Sequence, residues 1–153
     1  MTLMHTPARR QRAGSARGWT LIELMVVLAM AGILTALAVP AYQQQQRQTR
    51  RSDARAALQQ LQLDQARYRA NHEGFAATLA ELGWLTERSG QGHYRLLLTE
   101  ASSEGYVAEA YPVGAQAADT ACQPLRLSWR ETAILVLSSG NDPQQDVHRC
   151  WQP

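Results

Sequence analysis

The stretch from Gly18 to Ala41 reads GWTLIELMVVLAMAGILTALAVPA. About 20 such residues, at roughly 1.5 Å of rise each, cover a bilayer hydrocarbon core of about 30 Å, so the run is long enough to span a membrane as a helix. Its one charged residue, Glu23, stands near the start. A carboxylate at the centre of a span costs about 2.5–3.5 kcal/mol even on lenient insertion scales. Glu23 therefore calls for a partner of opposite charge.

Outward from this run the charge is asymmetric. Arg9, Arg10, Arg12 and Arg17 precede it and no basic residue lies within it. Cationic segments stay cytoplasmic, so the N-terminus is expected inside and residues 42–153 exported. From Trp19 onward the chain carries 11 arginines against 13 acids, and no lysine. That balance gives no bulk drive toward nucleic acid. Export places Cys122 and Cys150 in an oxidising compartment, where pairing is the default. Cys122, His148 and Cys150 supply three metal ligands at most and no CxxC spacing occurs, so neither metal nor cofactor is expected. An ordinary secretory signal peptide is the competing reading of the N-terminus, with Leu24–Leu37 as its apolar region and Ala36-Leu37-Ala38 as its cleavage site. Glu23 inside the apolar block and Pro40 just behind the cut argue against it.

Beyond Pro40 the helical pattern continues in a new composition. Ala54, Ala57, Leu58, Leu61, Gln65 and Tyr68 recur at three- and four-residue intervals among polar residues, one apolar stripe on an otherwise wet helix. No Gly or Pro interrupts Ala41–Asn71, and Asn71-His72-Glu73-Gly74 reads as the stop. The expected helix runs from about Thr20 to Asn71, with a kink at Pro40. Apolar all round at first and one-sided later, it implies two environments: a membrane or helical bundle, then a sheet.

Residues 72–93 read as a connecting loop with one helical turn at Thr78–Leu82. Four strand-like segments follow, at about His93–Thr99, Tyr106–Tyr111, Leu125–Arg130 and Ala133–Ser138. Leu125, Leu127 and Trp129 alternate with Arg126, Ser128 and Arg130, as in a sheet with one packed and one wet face. Turn residues separate the strands. The fold class is α+β: a long helix packed by its second half on a four-stranded antiparallel sheet spanning 94–138.

The segment Gly18-Trp19-Thr20-Leu21-Ile22-Glu23, with Leu24-Met25-Val26-Val27 and then Gly32, Ile33, Leu34, Ala38 and Pro40, resembles the class III leader junction and helix of type IV prepilins. Trp19 departs from the Phe usual in that family. The resemblance implies cleavage between Gly18 and Trp19 by a prepilin peptidase, N-methylation of Trp19, and pairing of Glu23 with the new amino group of a neighbouring subunit. Ala110-Tyr111-Pro112, Gln116, Asp119, Cys122 and Cys150-Trp151 resemble the PilE-like minor pilins of type IVa systems. There a four-stranded sheet packs on the helix and a disulfide, here Cys122–Cys150, bounds the C-terminal region. That branch often has a Gly after its third strand, where this chain has Trp129-Arg130-Glu131-Thr132.

The implied organisation is a leader at 1–18, a transmembrane or filament-core helix half at 19–41, and an exported head at 42–153. The head comprises an amphipathic helix half (42–71), the loop, the sheet, and the 122–150 region. Gly32 and Pro40 are expected to serve helix packing and bending. Gly32 with Ala29 and Ala36 lets neighbouring helices approach closely. The implied partners are other pilin subunits, the peptidase and an inner-membrane assembly platform. The precursor would sit in the inner membrane as a single span and then enter a surface pilus.

Catalysis has no recurrent constellation: His72, His93 and His148 lack a spaced nucleophile, and Ser138-Ser139-Gly140 lacks the strand-turn-helix setting of a nucleophile elbow. The chain reads as a non-enzymatic structural subunit. One alternative is a DNA-receptor pilin of competence, using Arg126, Arg130, Arg149, Trp129 and Trp151 for phosphate contact and base stacking. Asp119, Glu131, Asp142 and Asp146 weaken such a patch. Another is a pseudopilin of a type II secretion system, which shares the leader. Arg47, Arg50, Arg51 and Arg55 are expected to face lipid head groups or acids of neighbouring subunits.

Overall fold

A computed structural model describes residues 19–140 and 147–152. Gly18 and the 1–18 leader, with Asp142 and Asp146, lie outside the described residues. Two compact units divide at Pro40, Met1–Val39 and Pro40–Pro153.

Helix α1 spans Leu21–Arg69 and contains Pro40. It begins with an N-cap: Thr20 Oγ1 accepts the Glu23 amide at 3.2 Å, satisfying one of the amides a helix start leaves open, and the Leu24 amide makes the first intrahelical bond, to the Thr20 carbonyl, at 3.2 Å. In the first unit every side chain from Leu21 to Val39 is exposed.

In the second unit α1 behaves as an ordinary amphipathic helix. Ala54, Ala57, Leu58, Leu61 and Gln65 are buried, as their spacing requires. Gln65 sits among these apolar residues because both ends of its amide are used. Its Nε2 donates to the Ala76 carbonyl at 2.8 Å and its Oε1 accepts the Ala76 amide at 2.9 Å.

Four strands follow: β1 (Tyr94–Ala101), β2 (Gly105–Pro112), β3 (Leu125–Arg130) and β4 (Ala133–Ser139). They form one antiparallel sheet in the order β1-β2-β3-β4. Two short 3₁₀ turns, Gly114–Ala118 and Thr120–Cys122, bridge β2 and β3, and a short helix α2 spans Val147–Trp151. Tyr94, Leu96, Tyr106, Ala108, Ala110, Leu125 and Leu127 join the α1 stripe and both cysteines in the core. Two alanines on β2 let the helix and sheet close up, and larger side chains on β1 and β3 fill the flanks.

The 72–93 loop is fastened where the sequence shows only polar residues. Asp53, 5% exposed on α1, accepts the Ser89 hydroxyl at 2.6 Å and the amides of Gln91 and His93 at 3.0 and 3.2 Å. Residues 87–89 then run beside the start of β1, with the Leu96 amide on the Glu87 carbonyl at 2.7 Å. The β3–β4 turn needs no glycine: Glu131-Thr132 spans the Arg130↔Ala133 pair, helped by a register irregularity between Ser128 and Arg130. The Glu131 amide donates to the Glu104 carbonyl at 2.9 Å.

Gly105 pairs with Arg130 across the sheet, and a Cβ there would run into the backbone carbonyl oxygen of Trp129. Backbone cannot yield as a flexible side chain does. Gly105→Ala should destabilise the head by about 1–3 kcal/mol, the usual range for overpacking. Urea unfolding followed by tryptophan fluorescence checks it, and an unchanged midpoint would contradict this packing.

Candidate assembly helix and C-terminal lock

The first candidate site is the start of α1. Trp19 is 72% exposed and stands four residues before Glu23. The Glu23 backbone serves the Thr20 cap, while its side chain is exposed among apolar neighbours. A Cβ on Gly32 would meet nothing within 4 Å, so its own chain does not require glycine there. This helix is long and apolar enough to cross a membrane.

The second is the C-terminal region. Cys122 and Cys150 form a disulfide with Cα atoms 5.6 Å apart, and both are fully buried. Beside it lies a polar cluster. Arg51 on α1 donates from Nε and Nη2 to the two Asp119 oxygens at 2.7 and 2.8 Å, and from Nη1 to the Arg149 carbonyl at 3.0 Å. The Arg51 and Asp119 side chains are 8% and 5% exposed, so the bidentate pair is nearly dry. The hydrogen bond to Asp119 raises the Arg51 pKa. Gln116 Nε2 adds bonds to Tyr94 Oη at 2.9 Å and Asp119 Oδ2 at 3.2 Å. Burial pushes the Tyr94 phenol up to about 12. Arg55 Nη1 donates to the Trp151 carbonyl at 2.8 Å, and the Trp151 indole to the Ser138 carbonyl at 2.9 Å.

These contacts correct the expectation for the helix arginines: Arg51 and Arg55 grip the C-terminal region of their own chain. Arg51 lies on the buried stripe at the 51, 54, 58, 61, 65 spacing. That periodic position is the signal that separates it from its exposed neighbour Ser52.

The side chains suggested for DNA contact are not gathered into one basic patch. Arg126 is engaged by the buried Glu109, with Nε to Oε1 at 2.6 Å, and the Tyr111 hydroxyl donates to the same carboxylate at 3.0 Å. Arg130 lies 3.4 Å from Glu100, both 64% exposed. Trp129 packs inward against Phe75, ring centroids 4.9 Å apart. Arg149 is exposed on α2, where its carbonyl serves Arg51. Among the described residues no group of three His, Cys, Asp or Glu side chains is arranged to hold a metal ion.

A long N-terminal helix with an exposed apolar half, a four-stranded antiparallel meander on its other half, and a disulfide closing the C-terminal region define a type IV pilin. Comparison with known proteins agrees. The prokaryotic N-terminal methylation motif matches residues 14–39, and the model described as type IV minor pilin ComP, DNA uptake sequence receptor, matches residues 40–126, more than half of the chain. The chain belongs to this family of type IV pilins. It is 33% identical over 99 residues to the type IV major pilin protein PilA of Myxococcus xanthus, covering 65% of this chain and 45% of that pilin. It is 35% identical over 78 residues to the type IV major pilin protein PilE of Neisseria gonorrhoeae, covering 51% and 47%. A fimbrial protein of Neisseria meningitidis serogroup B shows 35% identity over 78 residues, covering 51% and 46%. The chain spans about half the length of each of these relatives.

Replacing Cys122 and Cys150 together by Ser should lower unfolding stability by about 2–5 kcal/mol, as for native disulfides of small exported domains. Chemical denaturation of the oxidised wild type and the double variant measures it. A difference below about 1 kcal/mol would mean that the disulfide adds little to closing this loop.

Proposed function

We propose that this chain is a minor subunit of a type IV pilus and that it has no catalytic role. The carrying observation is the exposed apolar half of α1 with a single acid, Glu23, beside its capped start. An apolar surface of this extent needs lipid or other helices around it. In the proposed course, residues 1–18 are a leader that keeps the N-terminus cytoplasmic. A prepilin peptidase cuts between Gly18 and Trp19 and methylates Trp19. The inner-membrane platform then moves residues 19–41 from lipid into a helical bundle of pilins, leaving the 42–153 head at the filament surface. Glu23 neutralises the methylated amine of a neighbouring Trp19. In a low-dielectric bundle, removal of either charge strands the other, so the pair selects one axial offset. Gly32 offers close helix approach, and Pro40 removes one backbone hydrogen bond from α1, as a helix bend requires. Purification of surface filaments from the native host, with subunits identified by mass, tests the reading; absence of this chain from them and from their assembly machinery would overturn it.

Glu23→Val should leave the precursor membrane-inserted, because an apolar residue removes the insertion cost of a carboxylate. Its incorporation into filaments should fall about tenfold or more, in keeping with a lost buried charge pair. Quantitative immunoblotting of membrane and sheared-filament fractions separates the two effects. Incorporation at the wild-type level would show that this charge does not govern assembly.

A second reading, a DNA receptor on the pilus, draws on the family description matched by residues 40–126. Against it, the pairing of Arg126 with Glu109 and of Arg130 with Glu100 leaves the sheet's outer face mixed in sign. The full-length protein in detergent should bind duplex DNA at about micromolar affinity or weaker, with steep loss as salt rises and no sequence preference. Mobility shifts at two salt concentrations with several duplexes decide the matter. Tight, sequence-dependent binding that is lost in Arg149→Ala would make the receptor reading the primary one.

A further inference from the structure

Arg51 duplicates, without a covalent bond, the closure made by the disulfide. Cys122 and Cys150 lie 28 positions apart in sequence. One guanidinium holds the two segments that carry them. Asp119, three residues before Cys122, takes Nε and Nη2, and the carbonyl of Arg149, next to Cys150, takes Nη1. Arg55, one helical turn further along α1, holds the Trp151 carbonyl just beyond Cys150. The two kinds of closure act on different states. A disulfide stabilises mainly by restricting the unfolded chain, whereas the arginine bonds exist only in the folded one.

We propose that Arg51 is the residue that aligns the two thiols: it docks the segments bearing Cys122 and Cys150 on α1 before they are oxidised, and keeps them docked when the bond is open. The chemistry then needs only a disulfide oxidant. The thiolate of one cysteine attacks the oxidant's disulfide, forming a mixed disulfide and releasing one thiol. The thiolate of the other cysteine displaces the second thiol and closes the Cys122–Cys150 bond. Two protein thiols are oxidised and one small disulfide is reduced to two thiols. Each protein thiol gives up its proton on forming its thiolate, and the released thiolates take protons up. Arg51 takes no part in the electron transfer; it raises the concentration of one sulfur at the other. Lysine cannot replace it, because an ammonium lacks the planar fork that reaches a carboxylate and a carbonyl together.

The test uses the full-length protein in detergent, equilibrated in mixtures of reduced and oxidised glutathione, with free thiols counted by alkylation and mass. The effective concentration of one cysteine at the other should fall by about tenfold or more in Arg51→Lys, the scale of one lost charge-assisted hydrogen bond. A second measurement needs no variant to fold. Both cysteines are fully buried, so in reduced wild type they should alkylate more than about tenfold slower than in urea, where local protection is lost. An unchanged effective concentration in Arg51→Lys would overturn the proposal. So would reduced wild-type thiols that react as fast as in urea.

Discussion

One helix has to satisfy two surroundings, and most of the molecule follows from that constraint. From Leu21 to Val39 α1 offers apolar side chains in every direction, all of them exposed in the isolated chain. Beyond Pro40 the same helix offers one stripe, and that stripe is covered by the sheet. The head then needs only four short strands, with Ala108 and Ala110 on β2 letting the sheet come close.

The head is small, and its helix and sheet are fastened by polar contacts as well as by apolar packing. Asp53, Arg51 and Gln65 all lie on the sheet-facing side of α1, and each ends on backbone or charge from a distant segment. Gln65 reaches Ala76, Asp53 reaches the 89–93 turn, and Arg51 reaches both ends of the disulfide-bounded region. Removing one partner from such a contact strands the other, so these residues specify where loops go more strongly than they add net stability. They also account for Gln116 and Asp119, which sequence resemblance marks without explaining.

Much of this is legible in the sequence. The three- and four-residue spacing of Ala54 to Gln65 gives the buried face of α1, and the alternation of Leu125, Leu127 and Trp129 gives the inner face of β3. The ends of β1 and β2 are less so, because Gly105 enters the sheet through its pairing with Arg130, a register that local pattern does not carry. The same limit applies to Arg126 and Arg130. Read along the chain they are free cations beside a tryptophan; cross-strand register brings Glu109 and Glu100 to them and turns Trp129 toward Phe75. Arg51 is hidden differently, as one charge within a polar run, and only its helical phase marks it as buried.

In the proposed processing, the mature chain begins at a new amino group on Trp19, four residues ahead of Glu23. Intact-mass and N-terminal peptide analysis of the membrane-extracted protein from its native host tests it most directly. The proposed processing gives a chain beginning at Trp19 and carrying one methyl group on its amine. A mature chain beginning at Val39, as after an ordinary signal peptide, would contradict it.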